Sequence, residues 1–348
     1  QTGSGPAAAA AGPAAETTAS VGSARGGSAA TWEAAPAAAD YPSSITSAEY
    51  FASSGLFRDP NLPATEASLE LLLAALRAGD QQARRLGRCN YFQFCGPELS
   101  LWDPVFNARL AYEGFFTITT SRHGATEPLP ELQPFYGVLT WPNFEASKHV
   151  RKALARVGNS GRKFRLADGA EPRPSWRRLD AYHRQRYGCN WLTERYFDMI
   201  QSGSKDASVN FTTHCIELYE EGASEPLAGE IGFSIGQVYT SLSGWTGERN
   251  SDSLGTTQLV LLGRWLQQSG YAFWSLGHCY SPEMEYKREL GHRVYPRADF
   301  LRLLHKHRGR FRAQSPEEAV DSTFRPLKAG DECAATVLLE LPRRAPAP

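Results

Sequence analysis

The chain has 348 residues, room for one large or two ordinary domains, and its 37 Lys plus Arg balance 37 Asp plus Glu. Bulk charge therefore selects neither a nucleic-acid nor a membrane partner, and no apolar run approaches the ~20 residues a membrane span needs. Six cysteines without a CxxC or a repeated spacing disfavour a zinc site and fit a reducing compartment.

Residues 1–45 are Ala, Gly, Ser and Pro with almost no large apolar side chain. Such a segment cannot bury enough surface to offset its ordering entropy, so disorder is expected. The Ala/Ser-rich, acid-poor leader has a transit-peptide flavour, although Arg25 is its only basic residue. A plastid or mitochondrial destination follows if it is one, and a cytoplasmic one otherwise. Residues 64–86 place Leu69, Leu72, Ala75 and Leu76 on one helical face. Residues 105–120 predict a helix ending at Gly114 and then a short strand. "GVLTWP" (137–142) reads as a strand stopped by Pro142, and 145–157 as a basic amphipathic helix. A further helix begins after Asn190, over 191–201.

The second half is more regular. "VNFTTHCIELYEE" (209–221) alternates as a strand, "EGASEP" turns, and "LAGEIGFSI" (227–235) returns as a hairpin. "GQ" (236–237) turns again into "VYTSLSGWT" (238–246). A helix over 253–268 is closed by Ser269-Gly270. A strand at 271–276, a helix at 283–290 and a last helix opened by Pro296 complete the pattern. Charge is uneven along this order. From Lys148 to Arg186 there are twelve Lys/Arg against Asp168, Glu171 and Asp180, and from Lys287 to Arg312 nine against Glu289 and Asp299. Such bands are either solvated helical faces or a surface built for phosphates.

Hairpin, third strand, helix, strand, helix resembles the core of an N-acetyltransferase-type α+β fold. Its central, mostly antiparallel sheet is flanked by helices and splays between two strands to admit an acyl donor. The expected organisation is a leader (1–45), an N-terminal α/β region (46–140), an acyltransferase-type catalytic domain (141–312) and a C-terminal extension with a Pro-rich tail (313–348). A coenzyme A enzyme of this fold would open the long helix with a Gly-rich phosphate loop. Here "RNSDSLG" (249–255) lacks that pattern, so coenzyme A is disfavoured and no cofactor is expected.

Six collinear segments resemble the leucyl/phenylalanyl-tRNA–protein transferases. "HCIELY" (214–219) is similar to that family's His-Ser-Ile-Glu-Val-Trp strand, and "LAG" (227–229) to the Leu-Val-Gly opening its return strand. "WPNFEASKHVRK" (141–152), "NWLTERY" (190–196), "ELGHRVYPRADFL" (289–301) and "ARLAYEGFFTI" (108–118) resemble further family stretches. "PEMEYK" (282–287) also resembles a Lys-Met-x-Tyr-Lys stretch of arginyl-tRNA–protein transferases. The resemblance implies aminolysis of an activated ester: the aminoacyl group, Leu or Phe, passes from charged tRNA to the N-terminal amine of a protein beginning with Lys or Arg, marking it for degradation. The implied partners are aminoacyl-tRNA and that acceptor, with no membrane and a monomeric chain.

The resemblance also implies roles. Ser275 falls at or beside the position of the family's strand-tip Asp, and Leu242 where it carries Glu. His214 and Glu217 are then candidates for proton handling, although a spacing of three puts them on opposite faces of their strand. Trp191 would stack on the terminal adenine. Phe233, Val238, Leu242, Trp245 and Leu259 would line the amino-acid pocket, and Tyr286 with Lys287 would meet the tRNA end or the oxyanion. Lys148, Arg151, Lys152, Arg156, Arg162 and Lys163 would hold the acceptor stem through its backbone. Two other readings compete: a chain of this fold that binds tRNA or N-termini without transfer, and an acyltransferase with another donor.

Overall fold

The computed structural model describes residues 41–52, 56–59, 91–94, 101–122, 125–169, 172–204, 209–247 and 253–309. The leader up to residue 40, the 64–86 helix, most of the "RNSDSLG" stretch and the tail at 313–348 lie outside them.

Thirteen strands are described. β1 (Ile45–Thr46), β2 (Leu56–Asp59), β3 (Tyr91–Phe94), β4 (Phe116–Arg122) and β5 (Ala125–Glu131) precede the main sheet. β2, β3, β5 and β4 form a four-stranded sheet in that order. The main sheet has seven strands: β6 (Phe135–Leu139), β7 (Phe164–Asp168), β8 (Phe211–Glu220), β9 (Pro226–Ile235), β10 (Val238–Thr246), β11 (Phe273–Gly277) and β13 (Arg293–Pro296). β12 (Tyr280–Ser281) pairs only with β1. The spatial order of the main sheet is β13-β6-β11-β10-β9-β8-β7. Every neighbouring pair in it is antiparallel except β10 and β11. The stretch 46–140 thus lends one strand, β6, to the main sheet.

The chain builds this sheet locally wherever it can. β8, β9 and β10 follow one another through tight turns, and Gly236 supplies the positive φ (+55°) of the second turn. A parallel partner for β10 needs a crossover, and the Leu254–Gln268 helix provides it. That helix and the Lys148–Asn159 helix cover one face of the sheet. They pack Leu154, Val260, Trp265 and Leu266 on Ile216, Leu218, Tyr239 and Trp274. The opposite face is covered by the Pro104–Tyr112, Pro172–Tyr187, Glu194–Gly203 and Arg297–His307 helices, through Trp176, Phe197, Ile200 and Phe300. Both faces are buried, which is why β9 is closed to solvent along nearly its whole length.

The feature that positions the site is how briefly β10 and β11 touch. Their pairing runs Val238–Phe273, Tyr239–Trp274 and Thr240–Ser275, and then stops. Beyond it β10 stays on β9, through a bulge between Ser241 and Ser243, while β11 stays on β6. The sheet parts there into two leaves.

Candidate active site

Two buried ionisable side chains flank the parting, one from each leaf. Glu230 lies on β9, 3 % exposed, and its Oε1 accepts hydrogen bonds from Tyr239 Oη at 2.9 Å and Ser241 Oγ at 2.8 Å. Tyr239 can cross its neighbour because position 232 is Gly: a Cβ there would stand 2.5 Å from its hydroxyl. Burial pushes the Glu230 carboxyl up to about 7, against the opposing pull of the Ser241 and Tyr239 hydroxyls and the Lys287 charge. Lys287 sits on the short Glu285–Arg288 helix and reaches back to the tip of β11. Its Nζ donates to the carbonyls of Leu276 at 2.5 Å and His278 at 2.7 Å. Burial pulls this ammonium down to about 8, although Cys279 and Glu230 favour its charged form. Across the parting itself, Trp274 Nε1 donates to Ser241 Oγ at 2.8 Å.

A cleft of about 230 Å3 opens beside this pair, between the Lys148–Asn159 helix and the start of the Leu254–Gln268 helix. Arg156, Thr256, Leu259 and Tyr286 are among the residues that line it. The Tyr286 residue is 51 % exposed, yet its hydroxyl is desolvated and close enough to Glu230 to feel its charge, which together hold the phenol above its ordinary range. Ser253, which precedes the long helix and lines the cleft, makes no side-chain cap hydrogen bond.

The residues expected from the sequence divide between this site and other places. Arg156, Leu259, Tyr286 and Lys287 gather at the cleft and the parting. Lys148 and Lys152 are exposed on the same helix as Arg156, and none of the three has a carboxylate partner among the described residues. Arg151 instead ties its guanidinium to the carbonyl of Ala146 at 2.6 Å. Arg162 and Lys163 are ion-paired with Glu220 and Glu221 at the end of β8. Further along the basic band, Arg173, Arg178 and Arg184 are likewise neutralised by acidic partners.

Ser275, His214 and Glu217 are not brought together. Ser275 is 2 % exposed and faces an apolar void of about 20 Å3 on the other side of the sheet from Glu230. Phe233 and Val238 line the same void. Leu242 and Trp245 pack in the neighbouring cluster with Trp191. Trp191 stands against Phe116 and Tyr196, at 5.9 and 6.0 Å between ring centroids. His214 and Glu217 do lie on opposite faces. The two ring nitrogens of His214 bond Asp168 at 2.6 Å and Ser234 at 2.8 Å, leaving none for an incoming amine. Glu217 pairs with Arg178 at 3.2 Å and accepts from Tyr219 at 2.7 Å.

Glu230 is the residue that the sequence reading passed over. Its signal was present: one acid inside an apolar return strand, flanked on its own face by Ala228 and Gly232. A charge in such a strand needs a reason, because burial without partners is expensive.

No family model matches the chain, and no curated protein matches it. Among solved structures it is similar to FemX at 9 % identity, covering 67 % of this chain and 75 % of that one, with a TM-score of 0.38. It is also similar to the C-terminal domain of a lysylphosphatidylglycerol synthetase-like protein from Agrobacterium fabrum at 13 % identity, covering 70 % and 80 %, with a TM-score of 0.35. The L-PGS of Bacillus licheniformis matches at 13 % identity, covering 70 % and 80 %, with a TM-score of 0.32. At these scores the likeness decides neither fold nor activity. No group of His, Cys, Asp and Glu among the described residues could hold a metal ion, and no described helix is long and apolar enough to cross a membrane.

Proposed function

We propose that this chain transfers an aminoacyl group from a charged tRNA to an amine. Following the resemblance of its motifs, the group is Leu or Phe and the acceptor is the N-terminus of a protein that begins with Lys or Arg. The observation that carries this reading is the Glu230–Lys287 pair at the parting of β10 and β11. Aminolysis of an activated ester needs a base for the attacking ammonium, a positive group for the oxyanion and a proton for the departing ribose oxygen. A carboxyl held near 7 and an ammonium held near 8 have those capacities at neutral pH. Ionised Glu230 takes the proton from the acceptor ammonium, the free amine attacks the ester carbon, and Lys287 stabilises the oxyanion. The ribose oxygen leaves with the proton that Glu230 took up, and the new amide nitrogen gives its excess proton to the carboxylate so re-formed, which releases it to solvent. The cleft beside the pair, lined by Arg156 from the helix that also carries Lys148 and Lys152, supports a donor that carries phosphates. A chain that only bound tRNA or N-termini would have no use for a buried acid at this point.

The test is direct. Purified chain is incubated with radiolabelled Leu-tRNA or Phe-tRNA and a peptide starting with Lys or Arg, and label in the peptide is counted. Transfer that depends on Glu230 supports the reading. Binding of tRNA with no transfer to any amine would refute it.

A further inference from the structure

The cleft between the Lys148–Asn159 helix and the long helix holds two ionic side chains that do not pair with each other. Arg156 is exposed and has no carboxylate partner among the described residues. Glu289 is half-buried at the same cleft and has no ion pair among them. Its Oε2 accepts from Ser147 Oγ, and its backbone carbonyl accepts from the Ser147 N–H at 2.9 Å. Ser147 in turn caps the helix, its Oγ accepting from the N–H of Val150 at 3.2 Å. The carboxylate is therefore tied to the start of the helix. Arg156 lies further on in the same helix, ~13 Å from Ser147 along the axis.

Both charges are left for a ligand, and their spacing narrows what it is. An α-amino acid carries its ammonium and carboxylate on one carbon and cannot serve two groups so far apart. The ligand needs an anion at one end and an N–H donor at the other. The wall between them is apolar, with Val150, Leu259 and Leu290. Tyr286 adds an aromatic ring, 51 % exposed, with Lys287 Nζ at 5.7 Å from its centroid. That ring is shared by the cleft and the proposed reacting pair. The volume of about 230 Å3 is several times the ~30 Å3 of one liquid water and below the ~300–1,000 Å3 of sites for drug-sized ligands. It suits one base with its sugar. A nucleoside 5′-phosphate has the required form: a flat base, an amine on its edge and a phosphate at the far end.

We propose that this cleft binds a nucleoside 5′-phosphate whose base carries an exocyclic amine. Glu289 accepts from the amine, the Tyr286 ring lies on the base and Arg156 meets the phosphate. Glu289 then determines specificity, because a base with a carbonyl in place of the amine would set a second acceptor against the carboxylate. Such a group has two sources, the last nucleoside of the donor tRNA and a free mononucleotide. The inference rests on the reading above for the first source, and on the cleft alone for the site.

Titration calorimetry on the full chain tests it, with AMP, adenosine and IMP as probes. IMP is AMP with the exocyclic amine replaced by a carbonyl. AMP binds, and adenosine and IMP each bind at least about tenfold more weakly. Arg156→Ala brings AMP down to the level of adenosine, and Glu289→Gln removes the preference for AMP over IMP. Tyr286→Leu weakens AMP by roughly 5- to 150-fold. Absence of AMP binding, or adenosine or IMP binding as tightly as AMP, overturns the proposal. So does a preference for AMP over adenosine that survives Arg156→Ala. Arg156 is exposed and has no carboxylate partner, so that variant folds even where a change at Glu289, which is bonded to Ser147, does not. Displacement of AMP by uncharged tRNA assigns the site to the donor, and its absence assigns it to a free nucleotide. A chain that binds AMP in this way but transfers nothing keeps this site and refutes the proposed reaction instead. Transfer without AMP binding does the reverse.

Discussion

Glu230 and Lys287 have their values shifted towards each other for one reason, burial, acting on charges of opposite sign. The reaction as proposed uses Glu230 ionised and Lys287 protonated, so its rate should peak in the narrow interval between about 7 and about 8 and fall on either side. Glu230→Gln is expected to lower transfer by roughly 100- to 10,000-fold and to erase the acid limb of the pH–rate profile. An acid limb unchanged in that variant would assign the proton to another group. At this scale the sequence was legible where chemistry and position coincide. Tyr286, Arg156 and Leu259 line the cleft, and Lys287 stands at the tip of β11. Ser275 was read at a strand tip, and it is at one, but the alternation of β11 turns it away from Glu230. A side chain's face depends on strand register, which a one-residue slip reverses.

The elements themselves were clearer than the side chains they aim. β8, β9, β10 and the long helix fall within a residue or two of their expected bounds, because alternation and helical period are strong over those lengths. The Pro172–Tyr187 helix, β7 and β13 were not resolved as elements. The helix is rich in Arg and buries only Ser175, Trp176 and Leu179, which leaves little periodic signal. β7 and β13 are five and four residues long, and their hydrogen-bond partners, β8 and β6, are distant in sequence. Packing between elements makes its own prediction at Gly263, on the long helix. A Cβ there would stand 2.4 Å from Phe144, against the face of its ring. Gly263→Ala gains up to about 1 kcal/mol of helix propensity and loses about 1–3 kcal/mol to overpacking. A net loss in urea-unfolding free energy is expected. A net gain would mean that the Phe144 ring moves aside freely.

Across the molecule two buried titratable groups, Glu230 and His292, link stability to pH. The Glu230 carboxyl is raised from 4.5 to about 7, so the folded state holds a proton that the unfolded chain has released. Its contribution is complete below pH 4.5 and is lost as pH rises through about 7. His292, pulled by burial from 6.5 down to about 4, acts in the opposite sense: stability rises as pH climbs between those values. The two nearly cancel in the unaltered chain, so the comparison with Glu230→Gln is the informative one. The unfolding free energy of the variant relative to the unaltered chain should rise by on the order of 3 kcal/mol between pH 4.5 and 7. Urea titrations at a series of pH values measure it, and a constant difference would mean that Glu230 is ionised throughout. The first basic helix makes a second prediction at this scale. Replacing Lys148, Lys152 and Arg156 by Ala should flatten the slope of log K for tRNA against log salt by about 2 to 3, whereas replacing the ion-paired Arg173, Arg178 and Arg184 should hardly change it.

The seam between β10 and β11 is three residue pairs long, and it is the only strand pairing that joins the two leaves of the main sheet. The acid belongs to one leaf and the ammonium is tied by its hydrogen bonds to the tip of the other, so their separation depends on the seam. Mechanically the sheet is a pair of jaws with the proposed acid and base set across the bite. A displacement that spreads the jaws parts the ammonium from the carboxyl. Transfer, as proposed, should therefore be sensitive to any displacement at the seam.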